Sequence, residues 1–276
     1  MHPAPLLGEI MRRIAGAVLL TCLFPLVLNG QSTPTVDKFK FADAAGARYY
    51  NLINQGLVSF SCDVKVNWDT VPKVMLVPAE IAGREGLQAT TLRVAQGIRT
   101  TAKVEHKYPE RTPALAAAAY DPFFSWLSDV VKGFMMTWGA KGMGGPIPGE
   151  DNISAVKLDP SGYRVVLVNP GIQLLVTKDY LVTEVLTSAT GQDIDEHLSF
   201  TPSPQGLLFT RAEAANKQGA DWTRIQYDLD YQPVKTLQLP HNVHLIVNDN
   251  MDMRFSFENC SAERGTVVRV KALPTQ

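Results

Sequence analysis

The sequence predicts a mainly β chain with a few helices (α+β), built on an antiparallel sheet that has one covered face. Three observations carry this. First, several segments alternate strictly between apolar and polar residues, the period of a strand half-exposed to water. In SFSCDVKVNWD, Phe60, Cys62, Val64, Val66 and Trp68 alternate with Ser59, Ser61, Asp63, Lys65, Asn67 and Asp69. Second, short strands follow one another with tight Pro, Gly, Asn and Asp turns between them, the pattern of a meander. Third, only two stretches, near residues 37–55 and 121–138, carry helical periodicity of any length.

The N-terminus reads as an export signal. Met11, Arg12 and Arg13 precede an apolar run from Ile14 to Leu28 that breaks at Asn29 and Gly30. Its 15 residues suit a signal core and fall short of the roughly 20 that span a bilayer, although a retained anchor is the alternative. Residues 1–30 are therefore expected to be a signal peptide, and 31–276 a single exported domain, periplasmic or secreted, with no transmembrane segment. The 26 basic and 27 acidic residues nearly cancel. Removing Glu9, Arg12 and Arg13 with the signal leaves 24 against 26, a net charge of −2. Nothing in that balance neutralises a phosphate backbone, so nucleic acid is excluded as a partner class.

After the signal, Thr35 or Asp37 offers an N-cap to a helix of about five turns. Its apolar positions are Phe39, Ala42, Ala45, Tyr49, Leu52 and Ile53, with Gly56 as the stop. The Phe60–Trp68 strand follows. Residues 70–97 are broken by Pro72, Pro78, Gly83 and Gly86, and only Ala89–Ala95 looks briefly helical. Alternation returns over Ile98–Tyr108, over Thr223–Tyr231, and in MDMRFSFE, where Met251, Met253, Phe255 and Phe257 share a face. Further strands are expected at Arg164–Val168, Ile172–Thr177, Leu181–Leu186, Leu207–Arg211 and Val243–Val247.

The second helix is expected to start at Asp121 as N-cap with Pro122 at its first position, inside a helical insert at about 110–145. Phe123, Phe124, Trp126, Leu127, Val130, Val131, Phe134, Met135, Met136 and Trp138 make it apolar over most of its circumference. Such a helix is enclosed by protein, lines a cavity or touches lipid.

Reactive chemistry is sparse. His241 and His244 form an H-x-x-H at the start of a strand, where i and i+3 face opposite ways, and no adjacent Glu or Cys completes a metal set. His106 and His197 stand alone in the sequence. There is no G-x-S-x-G, no P-loop and no dinucleotide fingerprint, and Gly142-Met-Gly-Gly145 follows a helix instead of opening one. Glu184, Asp193, Asp195 and Glu196 read as a solvated acidic loop. The expectation is a protein without catalytic residues, metal or cofactor.

Cys62 and Cys260 are the two cysteines left after signal removal, and an oxidising compartment favours a disulfide between them over free thiols. Their phases conflict: Cys62 lies on an apolar face, whereas Cys260 falls in register with Asp252, Arg254, Ser256 and Glu258. A bridge therefore needs a bulge or strand end near Asn259.

An N-terminal helix leading through YYNLINQGLVSFSCDVKVNW into a long strand, and the late TRIQYDLDYQPVKTLQLPHNVHLIV before a closing RFSFENC, resemble the LolA-like periplasmic lipoprotein carriers. The matching late residues are Tyr231, Val234, Leu239, Pro240 and Val243. The resemblance covers the first helix and strand and about 160–260, but not clearly 70–150. It implies a highly curved antiparallel sheet, an incomplete barrel, with helices over its concave side. It further implies an apolar concavity for lipid or lipoprotein acyl chains. Phe60, Val64, Val66, Trp68, Met251, Met253, Phe255 and Phe257 would line the sheet. Phe124, Trp126, Met135, Met136 and Trp138 would form the lid. Its alternative implication is an envelope interaction or stress-sensing module with a filled core and envelope proteins as partners.

Overall fold

A computed structural model describes residues 36–76, 83–98, 100–189, 192–218, 221–248 and 250–265. The expected signal segment lies outside the described residues. Among the described residues, no helix is long and apolar enough to cross a membrane.

The first helix, α1 (Lys38–Gly46), is shorter than its periodicity predicts. Asp37 caps it by accepting from the amides of Phe39 and Lys40, but it ends at Gly46, about half the expected length. Its buried side is Phe41, Ala42 and Ala45, whereas Phe39 is 57% exposed. The remaining apolar positions are buried by other means. Tyr49 bridges to Leu207, the Tyr50 amide donates to the Leu207 carbonyl, and the Leu52 amide donates to the Met143 carbonyl. Gly206 permits this approach, because with φ 123° its Cβ would stand 2.8 Å from the Tyr49 carbonyl carbon. Tyr49 is pinned at its other end too, donating to the Tyr180 carbonyl (2.8 Å) and accepting from the Val182 amide (2.7 Å). Burial raises its hydroxyl pKa to about 12, against the weaker opposing effect of the Val182 amide.

Twelve strands form one antiparallel sheet. In chain order they are β1 (Leu57–Val66), β2 (Thr91–Gly97), β3 (Lys103–Lys107), β4 (Ile153–Asp159), β5 (Gly162–Leu167), β6 (Ile172–Thr177), β7 (Val182–Ala189), β8 (Gln192–Ser203), β9 (Gly206–Gln218), β10 (Asp221–Val234), β11 (Leu237–Val247) and β12 (Met251–Arg264). The spatial order is β3-β2-β1-β12-β11-β10-β9-β8-β7-β6-β5-β4. Every neighbour is a sequence neighbour except β1 beside β12, so the sheet is a nine-strand meander closed against an earlier three-strand one. β3 and β4 stand at opposite edges and do not pair. The mainly β, antiparallel expectation is met.

Several boundaries differ from the sequence reading. Trp68 leaves the strand and opens a 3₁₀ turn, Trp68–Thr70, capped by the Asn67 side chain. The expected strand Ile98–Tyr108 is shorter: only β3, from Lys103 to Lys107, falls within it, and β2 ends before it at Gly97. Ala89–Ala95 is not helical; α2 (Arg84–Ala89) stops there and β2 takes over. β4 and β8 were not expected. The acidic run is not a loop, since Asp193, Asp195 and Glu196 sit in β8 paired with β7. Its alternation is disguised because Glu196 points inward, where Lys141 meets it at 2.9 Å with both side chains largely buried.

The long helix α3 (Ala114–Trp138) links the two edge strands. It starts at Ala114, after Pro113 at the N-cap position, two turns before the expected Asp121, so Pro122 lies inside it. A proline there removes one backbone bond, but Ala118, Asp121, Pro122 and Ser125 are all on the exposed side, so the freed carbonyl faces solvent. The alanine run 116–119 supplies the helix propensity that carries the chain through. At its far end a π turn, Gly139–Met143, aims Lys141 at Glu196.

The cysteines are joined, Cys62 to Cys260. The phase conflict is resolved as anticipated: pairing of β1 with β12 slips between Ser61 and Asp63, and Asn259 adopts φ 48°. This bulge turns Cys260 toward the face that Cys62 occupies.

Candidate functional site

The feature with the most distinctive chemistry is the contact between α3 and the apolar face of the sheet. Tyr120, Phe123, Phe124, Leu127, Ser128, Val131, Phe134, Met135 and Trp138 are buried, a stripe at spacings of three and four. Trp138 packs edge-on to Phe60 of β1 at 5.7 Å. Phe134 meets Tyr227 of β10 and both Phe255 and Phe257 of β12 at 5.6–5.8 Å. Phe123 lies 5.6 Å from Trp68, and Phe124 stacks on His106 of β3 at 5.1 Å. One helix thus touches strands from the β3 edge to the middle of the sheet.

A polar chain crosses the middle of this interface. Trp138 Nε1 donates to the Tyr231 hydroxyl (3.2 Å), which donates to the Phe209 carbonyl (2.6 Å). Burial holds the Tyr231 hydroxyl pKa far above the ordinary tyrosine value, opposed in part by the Trp138 N–H. Tyr227 is likewise pushed up to about 12, by burial first and then by the Glu196 carboxylate. Both phenols therefore stay neutral across the physiological range and act as fixed hydrogen-bonding or packing groups.

The residues named from sequence as cavity lining divide three ways. Phe60, Val64, Phe124, Met135, Trp138, Met253, Phe255 and Phe257 are buried at the interface. Val66, Trp68, Trp126 and Met251 are half-buried and packed against that core. Met136 is not at the interface: it is 74% exposed, because its position on α3 falls on the side away from the sheet. Sequence reading missed Phe41, Tyr50 and Phe209 as major interior groups. Tyr49 and Phe123 were read as apolar helical positions and not as cavity lining, while Tyr50 lies off the apolar face of that helical spacing.

Beside Phe124 and Leu127 of α3, a small hollow lined also by Val64, Trp68, Leu92 and the polar Asp63, Lys65 and Gln88 holds about 80 Å³. Larger hollows are open to solvent and have mixed linings. One of about 930 Å³ lies between Lys132 of α3 and the β3–β2–β1–β12 end of the sheet, beside Phe60, Ala102, Val104 and Ala262 as well as Ser59 and Lys103. Another of about 640 Å³ lies on the opposite, polar face of the sheet, beside Lys65, Asp228, Asn242, His244 and Arg254.

The histidines do not converge. His106 approaches Asp121 (3.6 Å), His197 Asp195 (3.7 Å), His241 Asp230 (3.6 Å) and His244 Asp252 (2.7 Å). His241 and His244 serve different carboxylates, so the H-x-x-H is not a ligand pair. Among the described residues no serine or threonine hydroxyl hydrogen-bonds to a histidine. Comparison of the chain with protein-family models, curated proteins and solved structures found no match.

Proposed function

We propose that this is an exported, non-catalytic half-barrel protein of the LolA-like kind whose apolar concavity is occupied by its own helix α3. It works through its surface, as an envelope interaction or stress-sensing module, and does not carry acyl chains. The observation that supports this reading is the packing of the buried face of α3 directly on the sheet, Trp138 on Phe60 and Phe134 on Phe255 and Phe257, with a hollow beside Phe124 and Leu127 of about 80 Å³, well below the roughly 300 Å³ at which ligand pockets begin.

Energetics point the same way. Eight apolar α3 side chains are buried there, each worth about 1.5–3 kcal/mol, or about 12–24 kcal/mol together. A 16-carbon acyl chain offers about 0.8 kcal/mol per methylene, roughly 12 kcal/mol, before the entropic cost of association. One chain at best matches the weakest estimate for the helix it must displace. The disulfide and the absence of a membrane-crossing helix among the described residues are compatible with export.

Titration of delipidated protein with a fluorescent fatty acid is expected to give no saturable uptake. Stoichiometric uptake would return the acyl-carrier reading, with α3 as a lid that leaves.

A further inference from the structure

We propose that Glu184, Asp195 and His197, on the polar face of β7 and β8, form a binding site for a first-row divalent cation of the Zn²⁺ class. Their ligand atoms all lie within 4.8 Å of one another. Glu184 and His197 are direct partners in the β7–β8 ladder, and Asp195 stands two residues before His197 on the same face. Three donors thus come from two hydrogen-bonded strands, a rigid base for a metal site. Tetrahedral coordination at metal–ligand distances of about 2.1 Å puts ligand atoms about 3.4 Å apart, a contraction within reach of side-chain rotation.

A second observation separates this group from an ordinary acidic patch. At another point on this face an arginine lies between two carboxylates: Arg211 reaches both Asp228 (3.3 Å) and Glu213 (3.1 Å). Among the described residues no arginine or lysine makes an ion pair with Glu184 or Asp195. The nearby Arg164 spends Nε on Asp159 and Nη1 on Gln173. Asp195 Oδ1 is shielded from water and receives no hydrogen bond, while about half of the Asp195 side chain stays open to solvent, leaving an ion access. The imidazole nitrogen selects Zn²⁺-like ions over Mg²⁺ or Ca²⁺, which prefer all-oxygen sites.

Calorimetric titration of the metal-free, disulfide-intact chain with Zn²⁺ at about pH 7.5 is expected to show one saturable site, weakened about tenfold or more by Glu184→Gln, Asp195→Asn or His197→Gln. His244→Gln, which alters another histidine–aspartate pair on the same face, leaves the affinity unchanged. Zn²⁺ is expected to raise the melting temperature of the parent and of His244→Gln only, a readout that also reports whether each variant folds. Absence of Zn²⁺ uptake by the parent, or uptake that His197→Gln leaves intact, overturns the proposal.

Discussion

Replacing Cys62 and Cys260 together with alanine is expected to lower the unfolding free energy by about 3–5 kcal/mol, read as a shift in the urea midpoint under non-reducing conditions. The bridge spans 198 residues, and the chain entropy it removes from the unfolded state grows with the logarithm of that span. It also lies where the fold most needs a tether, beside β1 and β12, the one strand pairing made between sequence-distant segments. The parent in excess reductant is expected to match the double variant. A loss below about 1 kcal/mol in both would mean that the β1–β12 pairing persists in the unfolded chain or needs no covalent support.

Two substitutions on α3 are expected to differ sharply although their positions are two residues apart. Trp138→Ala removes the largest fully buried side chain, opens a cavity against Phe60 and leaves the buried Tyr231 hydroxyl without its donor. Its expected cost is about 3–5 kcal/mol. Met136→Ala removes a side chain that is 74% exposed and is expected to change stability by no more than about 0.5 kcal/mol. Chemical denaturation of the two variants measures the difference. Equal effects would mean that the helix is rotated from the orientation described, or that it does not rest on the sheet.

The sequence revealed most where one face of a strand meets water and the other meets the core. β1, β10 and β12 were legible for that reason, down to the inward residues Phe60, Val64, Phe255 and Phe257. β8 was hidden because Glu196 puts a charge on the inner face, and the Lys141 that neutralises it is 55 residues away in sequence. Periodicity overstated α1, since Tyr49 and Leu52 continue the helical spacing while being held by Leu207 and Met143. Pro122 hid the first two turns of α3, because a helix start and an exposed mid-helix proline leave the same local signature. The Glu184, Asp195 and His197 grouping was unreadable without the β7–β8 register that sets Glu184 opposite His197. The apolar faces themselves were found, but an apolar strand face has the same pattern whether a ligand or a helix covers it.

That distinction rests on α3. Native-state hydrogen exchange of the α3 amides, compared with those of β11 and β12, tests it most directly. If α3 is the resident occupant of the sheet, its buried-side amides from Phe123 to Trp138 exchange only as fast as the central strands, through global unfolding. Exchange of α3 within seconds to minutes, while the central strands stay protected, would show a helix that lifts away and would contradict the account.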